Sequence, residues 1–154
     1  MAGRGTFKAI AESDLERWLA NALEDRARWD AMADVPFAFY QGVDKAWRDI
    51  HRCLTDGTLD NFGETAYPLC DAVLGEELIC ETDGEDYIYL KRPTAVADIA
   101  AALRPLDRAW FRSCHAEVRE AEFGFDYVWG WFKPMRRIYR RAASQGLAVV
   151  FCWG

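Results

Sequence analysis

The stretch Ile138-Tyr139-Arg140-Arg141-Ala142-Ala143-Ser144-Gln145-Gly146-Leu147-Ala148-Val149-Val150-Phe151-Cys152 changes its hydrophobic period halfway, and that change decides the fold. Upstream, Val128, Trp131, Met135, Ile138, Tyr139 and Ala142 recur at helical spacing, which predicts a helix over 127–144. Pro134 inside it implies a kink, or a later start near Trp131–Pro134, because proline lacks the N–H that an interior rung needs. Gln145-Gly146 closes the helix. Leu147–Cys152 is then apolar and β-branched without alternation, the pattern of a central strand covered on both faces.

Working outward, Phe7–Ala11 reads as a short strand. Ser13-Asp14-Leu15-Glu16 has the form of a capping box that opens a helix carrying Leu15, Trp18, Leu19 and Leu23. A second amphipathic stretch surrounds Trp29 and Met32, and Pro36 with Phe37–Tyr40 breaks it into a loop or short strand. Val43, Trp47, Ile50 and Leu54 share a helical stripe ended at Gly57, and residues 57–65 read as loop. Pro68–Leu74 predicts a short helix closed by Gly75. Leu78–Cys80 and Tyr87–Leu90 predict two strands joined through Asp83-Gly84. Pro93-Thr94 opens a helix with Val96, Ile99, Ala100 and Leu103 inward, stopped before Pro105, and Asp107–His115 is helical too. Helices outnumber scattered strands. The expectation is an α+β fold, residues 1–154 as one domain, with a small mixed or antiparallel sheet packed by several helices.

Composition bounds the function classes. The 154 residues are 51% hydrophobic and 29% charged, which is globular, and such a chain buries roughly 70% of its unfolded surface. A net charge of −6 disfavours nucleic acid and anionic membranes and favours a basic partner. Five cysteines, an odd number with no C-x-x-C, suggest neither a disulfide framework nor a zinc ribbon. With no signal-peptide run, lipidation motif or transmembrane stretch, the expected compartment is the cytoplasm.

Three groups of residues invite chemistry. Asp44, Trp47 and His51 lie three and four apart, so one helical face would bring a carboxylate and an imidazole beside an indole. Asp44 and His51 are therefore the candidate acid–base pair, and Trp47 with Tyr139 the candidate binding residues. The plainer reading makes Asp44 a first-turn charge, Trp47 core and His51 a hydrogen-bonded helix residue. His115-Ala116-Glu117 has the H-x-E form of zinc deaminases but no downstream P-C-x-x-C, so no metal is expected. No nucleophile elbow or phosphate loop is present, and no cofactor is expected. Finally, Lys133, Arg136, Arg137, Arg140 and Arg141 crowd one helical segment, while Glu76, Glu77, Glu81, Asp83, Glu85 and Asp86 cluster around the hairpin. A solvated face, pairing of the two clusters, and a partner or anion site all fit that pattern.

Asp44-Lys45-Ala46-Trp47-Arg48-Asp49-Ile50-His51, followed by Cys53-Leu54-Thr55-Asp56-Gly57, resembles the DKAW…H…LLTG signature of the YfbM-like family, small bacterial proteins of unknown function. Ala72-Val73-Leu74-Gly75-Glu76 resembles that family's aLLGG segment with Glu76 in place of the second glycine. Tyr89-Leu90 with Val96–Leu103 resembles its strand-to-helix step, and Ile138–Phe151 its final helix and strand. The matches run in order over most of the chain, least in 24–40 and 107–125. The resemblance implies a compact α+β fold and no reaction, cofactor or catalytic residue.

Two functions follow as expectations. The first is a non-catalytic cytoplasmic binding or regulatory module acting on a protein partner, an inhibitor- or immunity-type role among the options. The alternative is a small-molecule enzyme or sensor with a cleft near Asp44, Trp47 and His51. Oligomeric state is not legible from the sequence.

Overall fold

In the computed structural model, residues 3–21, 23–57, 59 and 67–154 are described. Among them run β1 (Gly5–Ile10), α1 (Glu12–Leu19), α2 (Asp25–Ala31), β2 (Phe39–Asp44), α3 (Trp47–Leu54), β3 (Glu77–Thr82), β4 (Asp86–Lys91), α4 (Pro93–Leu103), α5 (Arg108–Glu117), α6 (Phe125–Ser144) and β5 (Ala148–Trp153). The strands form one sheet in the order β2-β1-β5-β4-β3, and each neighbouring pair is antiparallel. The last strand in sequence is therefore the middle one in space, as its unalternating apolar run predicts.

The sheet buries both faces, and the strand period of two divides the side chains between them. Phe7, Ala9, Tyr89, Val149 and Phe151 join the core built with α3–α6. Ile10, Ile88, Leu90, Ala148, Val150 and Cys152 join a second, smaller core with Leu15 and Trp18 of α1 and with Met32. Each buried Val, Leu, Ile or Phe contributes about 1.5–3 kcal/mol, so β5 serves both layers at once.

Local chemistry sets the boundaries. Asp83 and Gly84 both hold positive φ, 45° and 76°, as a primed hairpin turn demands, and the Glu85 N–H closes it on Thr82 O at 2.7 Å. Asp107 caps α5, its carboxylate accepting from the Trp110 N–H at 2.8 Å. The Gly57 N–H, from a residue at φ 92°, reaches Arg52 O at 3.0 Å past the end of α3.

Four expectations change. The capping box is absent: β1 runs to Ile10, the Ala11 carbonyl takes the Asp14 and Leu15 N–H groups, and Ser13 falls inside the first turn. Glu16 instead meets Arg92 at 2.7 Å. Pro68–Leu74 holds only a short 3₁₀ turn, Leu69–Asp71. Of the two readings of Pro134, the later start fails: α6 begins at Phe125 and runs through the proline, with Val128, Phe132, Met135, Ile138 and Tyr139 buried on both sides of it. Most importantly, Val43 and Asp44 belong to strand β2, and Asp44 adopts φ 48° before α3 begins at Trp47. The expected loop over 57–65 lies mostly outside the described residues.

Candidate functional site

Because Asp44 ends a strand, the predicted Asp44–Trp47–His51 helical face does not form, and only Trp47 and His51 share a helix, one turn apart on α3. The Asp44 carboxylate accepts from the Tyr127 hydroxyl at 2.7 Å and pairs with Arg4 at 3.2 Å. Trp47 is 2% exposed. Its Nε1 donates to Gly3 O at 3.0 Å, and its ring stacks on Trp153 with centroids 5.0 Å apart.

His51 is wholly buried. Burial, then the nearby Lys91 and Arg52 charges, push its pKa down to about 4, with Asp56 opposing, so the imidazole is neutral at physiological pH. Tyr139 is also sealed, its hydroxyl donating to Ala72 O. Burial, and then the negative Asp71 and Glu76, raise its pKa well above the ordinary phenol value.

The structure adds a buried amine that sequence reading missed. Lys91, at the end of β4, is fully enclosed, and its Nζ donates to Val73 O. The Tyr89 and Phe151 rings stand 5.5 and 5.7 Å from it. Burial lowers its pKa to about 7 against the raising influence of Asp71, Cys152 and Glu76. A depressed lysine is the chemistry of imine-forming enzymes. Here the amine is spent on the backbone of 72–73, which Tyr139 and Lys91 tie down from below. Both side chains are sealed from solvent.

A second buried charge, Asp49, was equally invisible. It accepts from the Glu122 N–H at 2.9 Å, the Phe123 N–H at 2.8 Å and Arg52 at 2.7 Å, and Arg52 also reaches Glu122 at 3.1 Å. This clamp ties α3 to the segment before α6. His115 Nε2, on α5, lies 2.9 Å from Phe123 O of that segment. Among the described residues, no three His, Cys, Asp or Glu side chains gather to hold a metal. The five cysteines are unbridged, and burial pushes Cys53 and Cys152 up to about 12 and Cys80 to about 11, the wrong direction for a nucleophilic thiolate.

The open site lies elsewhere. α4 packs along α6, and between them is a groove of about 180 Å³ floored by Ala100 and Leu103. Arg104 lines it from the end of α4; Lys133, Arg136, Arg137 and Arg140 line it from α6. Arg136 is partly absorbed into the fold, donating to Leu106 O at 2.6 Å with its guanidinium 5.2 Å from the Trp129 ring centre. Burial and then Arg140 lower its pKa. Arg141, the fifth cation of the segment, turns away and stacks over Phe39 at 4.0 Å. No described carboxylate lies within ion-pair distance of Arg104, Lys133, Arg137 or Arg140. The acidic hairpin finds other cations: Asp86 pairs with Arg26 at 3.0 Å and Glu77 with Arg92 at 3.5 Å. Pairing of the basic helix with the acidic stretch is thus not what the described residues do.

Comparison with known proteins adds the family. Residues 1–152 match the model of a family described as a domain of unknown function, DUF1877. A solved structure, a protein of unknown function named YfbM from Escherichia coli, superposes with a TM-score of 0.68 at 22% identity over 98% of this chain and 99% of that one. That likeness speaks to the fold alone. No curated protein matches.

Proposed function

The chain belongs to the DUF1877 family, and we propose, on the structure of its own surface, that it is a non-catalytic binding or regulatory module acting on a protein partner. The observation that carries this reading is the α4–α6 groove. Arg104, Lys133, Arg137 and Arg140 are exposed, share one concavity and have no ion-pair partner among the described residues, although the chain carries six more acidic than basic charges. Like charges held together repel, so a cluster without internal counterions is a cost to the fold that an external anion relieves.

The net charge alone favours a basic partner; the groove points the other way locally and favours an acidic group at the contact. Trp47 and Tyr139, expected as binding residues, are buried and offer no surface to a partner. Trp18 and Trp47 are core, and the exposed large apolar residues among those described are Phe37, Tyr40, Tyr67 and Leu78.

Against the alternative, an enzyme or sensor with a cleft near Asp44, Trp47 and His51, stands the enclosure of Trp47 and His51. A general base has to come within hydrogen-bond reach of its substrate. Free thiols suit a reducing compartment, and we propose the cytoplasm on that ground. The test pairs capture of a stoichiometric partner at low and raised salt with a broad hydrolase and transferase screen. A partner whose capture falls with salt supports the module. Turnover that disappears in a still-folded His51→Ala protein reverses the ranking.

A further inference from the structure

We infer that the α4–α6 groove is a docking surface for an acidic amphipathic helix of a partner protein, an inference that rests on the binding-module reading and names its chemistry. Lys133, Arg136, Arg137 and Arg140 stand at helical positions i, i+3, i+4 and i+7, a line about 10.5 Å long at 1.5 Å per residue. One phosphate group is far too short to meet that line. A helix carrying carboxylates at the same spacing repeats with the same rise and meets the cations in register.

Arg104 lines the groove from α4, so the acidic side chains would sit between its single guanidinium and the row of cations on α6. Arginine's planar fork suits a carboxylate, two N–H groups to two oxygens. The floor, Ala100 and buried Leu103, is apolar and suits a leucine-sized side chain between the acids. That combination of apolar floor and charged rim is how grooves accept amphipathic helices. An extended polyanion such as nucleic acid fits less well. It would continue beyond the groove over a molecule of net charge −6, while a helix confines its charge to one face.

The probes are two fluorescein-labelled, side-chain-stapled helical peptides of identical composition. One places Glu at i, i+4 and i+7 with Leu between them on the same face; the other distributes the same residues around the helix. Anisotropy titrations against the full chain should show saturable one-to-one binding of the ordered peptide, roughly tenfold tighter than the scrambled one and weakening with salt. Arg137→Glu with Arg140→Glu should weaken it by roughly tenfold or more, while the exposed Arg119→Glu should leave it unchanged. Equal affinity for the two peptides, indifference to the double reversal, or tighter binding of tripolyphosphate than of the ordered peptide would overturn the inference. The two readings fail separately. A partner retained by the double-reversal protein sinks the groove and leaves the module. Ordered-peptide binding by a protein that carries no partner in its own cells keeps the groove's preference and sinks the module.

Discussion

Replacing Lys91 by methionine tests the buried amine in a way that its geometry makes quantitative. Folding takes this side chain from water to complete enclosure, with one carbonyl, Val73 O, as its hydrogen-bond acceptor. Its pKa falls from 10.5 to about 7. At about 1.4 kcal/mol per pH unit, the folded state forgoes roughly 5 kcal/mol below pH 7 by holding the ammonium in a dry site. Between pH 7 and 10.5 the unfolded chain binds the proton and the folded chain releases it, so Lys91's destabilising contribution shrinks as pH rises. From pH 7 to 8.5 the gain is roughly 1.5 kcal/mol.

The wild-type curve alone does not display that gain cleanly. The five cysteines all have raised pKa values in the fold, so they lose protons first in the unfolded state and lower stability as pH rises. The difference between wild type and Lys91→Met cancels them. Urea melts of both proteins at pH 7.0, 7.5, 8.0 and 8.5 should show the wild type gaining roughly 1.5 kcal/mol relative to the variant across the series. At pH 7 the variant should be equal or more stable, because removing the buried amine outweighs the roughly 1–3 kcal/mol cost of leaving Val73 O unpaired. A constant difference at every pH would show that Lys91 does not titrate there, and the enclosed-amine argument would be wrong.

Three further outcomes follow. Trp47→Ala should cost about 3–5 kcal/mol in denaturant melts, since it empties a packed aromatic site against Trp153 and Phe151; a loss under about 1 kcal/mol would mean that the indole is not core. Asp49→Ala should cost about 3–5 kcal/mol, because it takes from buried Arg52 one of its two carboxylate partners and strands two backbone N–H groups, and an exposed Asp30→Ala serves as the near-neutral comparison. With its pKa down at about 4, His51 leaves the unfolded state holding more protons between pH 6.5 and 4, so stability falls as pH drops through that window, by up to about 3 kcal/mol from this residue. A His51→Leu protein that loses stability as steeply over the same window would remove His51 from the account.

The parts of this fold that could be read from the sequence are those whose causes are local. The switch at Gly146 from helical to unbroken apolar spacing placed β5 in the middle of the sheet, and Asp83-Gly84 announced a turn. Val43 and Asp44 misled because Val43 suits a helical stripe as well as a strand; the left-handed turn at Asp44 that separates the two leaves only a weak mark in an aspartate. The site's hidden members act over distance. Lys91 meets a carbonyl 18 residues away, and Asp49 meets amides 73 and 74 residues away. A lysine or aspartate is ordinarily read as solvated, so no local signal marks either. The groove was half legible: the cations of α6 could be seen at their spacing, but Arg104 joins them only through the packing of α4 on α6.

Native mass spectrometry of the affinity-tagged protein isolated intact from its own cells, beside the same protein carrying Arg137→Glu and Arg140→Glu, tests the central claim most directly. A binding module that works through the α4–α6 groove should appear as a complex of fixed stoichiometry with one protein partner, and the double reversal should appear free of it while remaining folded. A wild-type chain that emerges alone, or a complex that survives the reversal intact, would contradict the account.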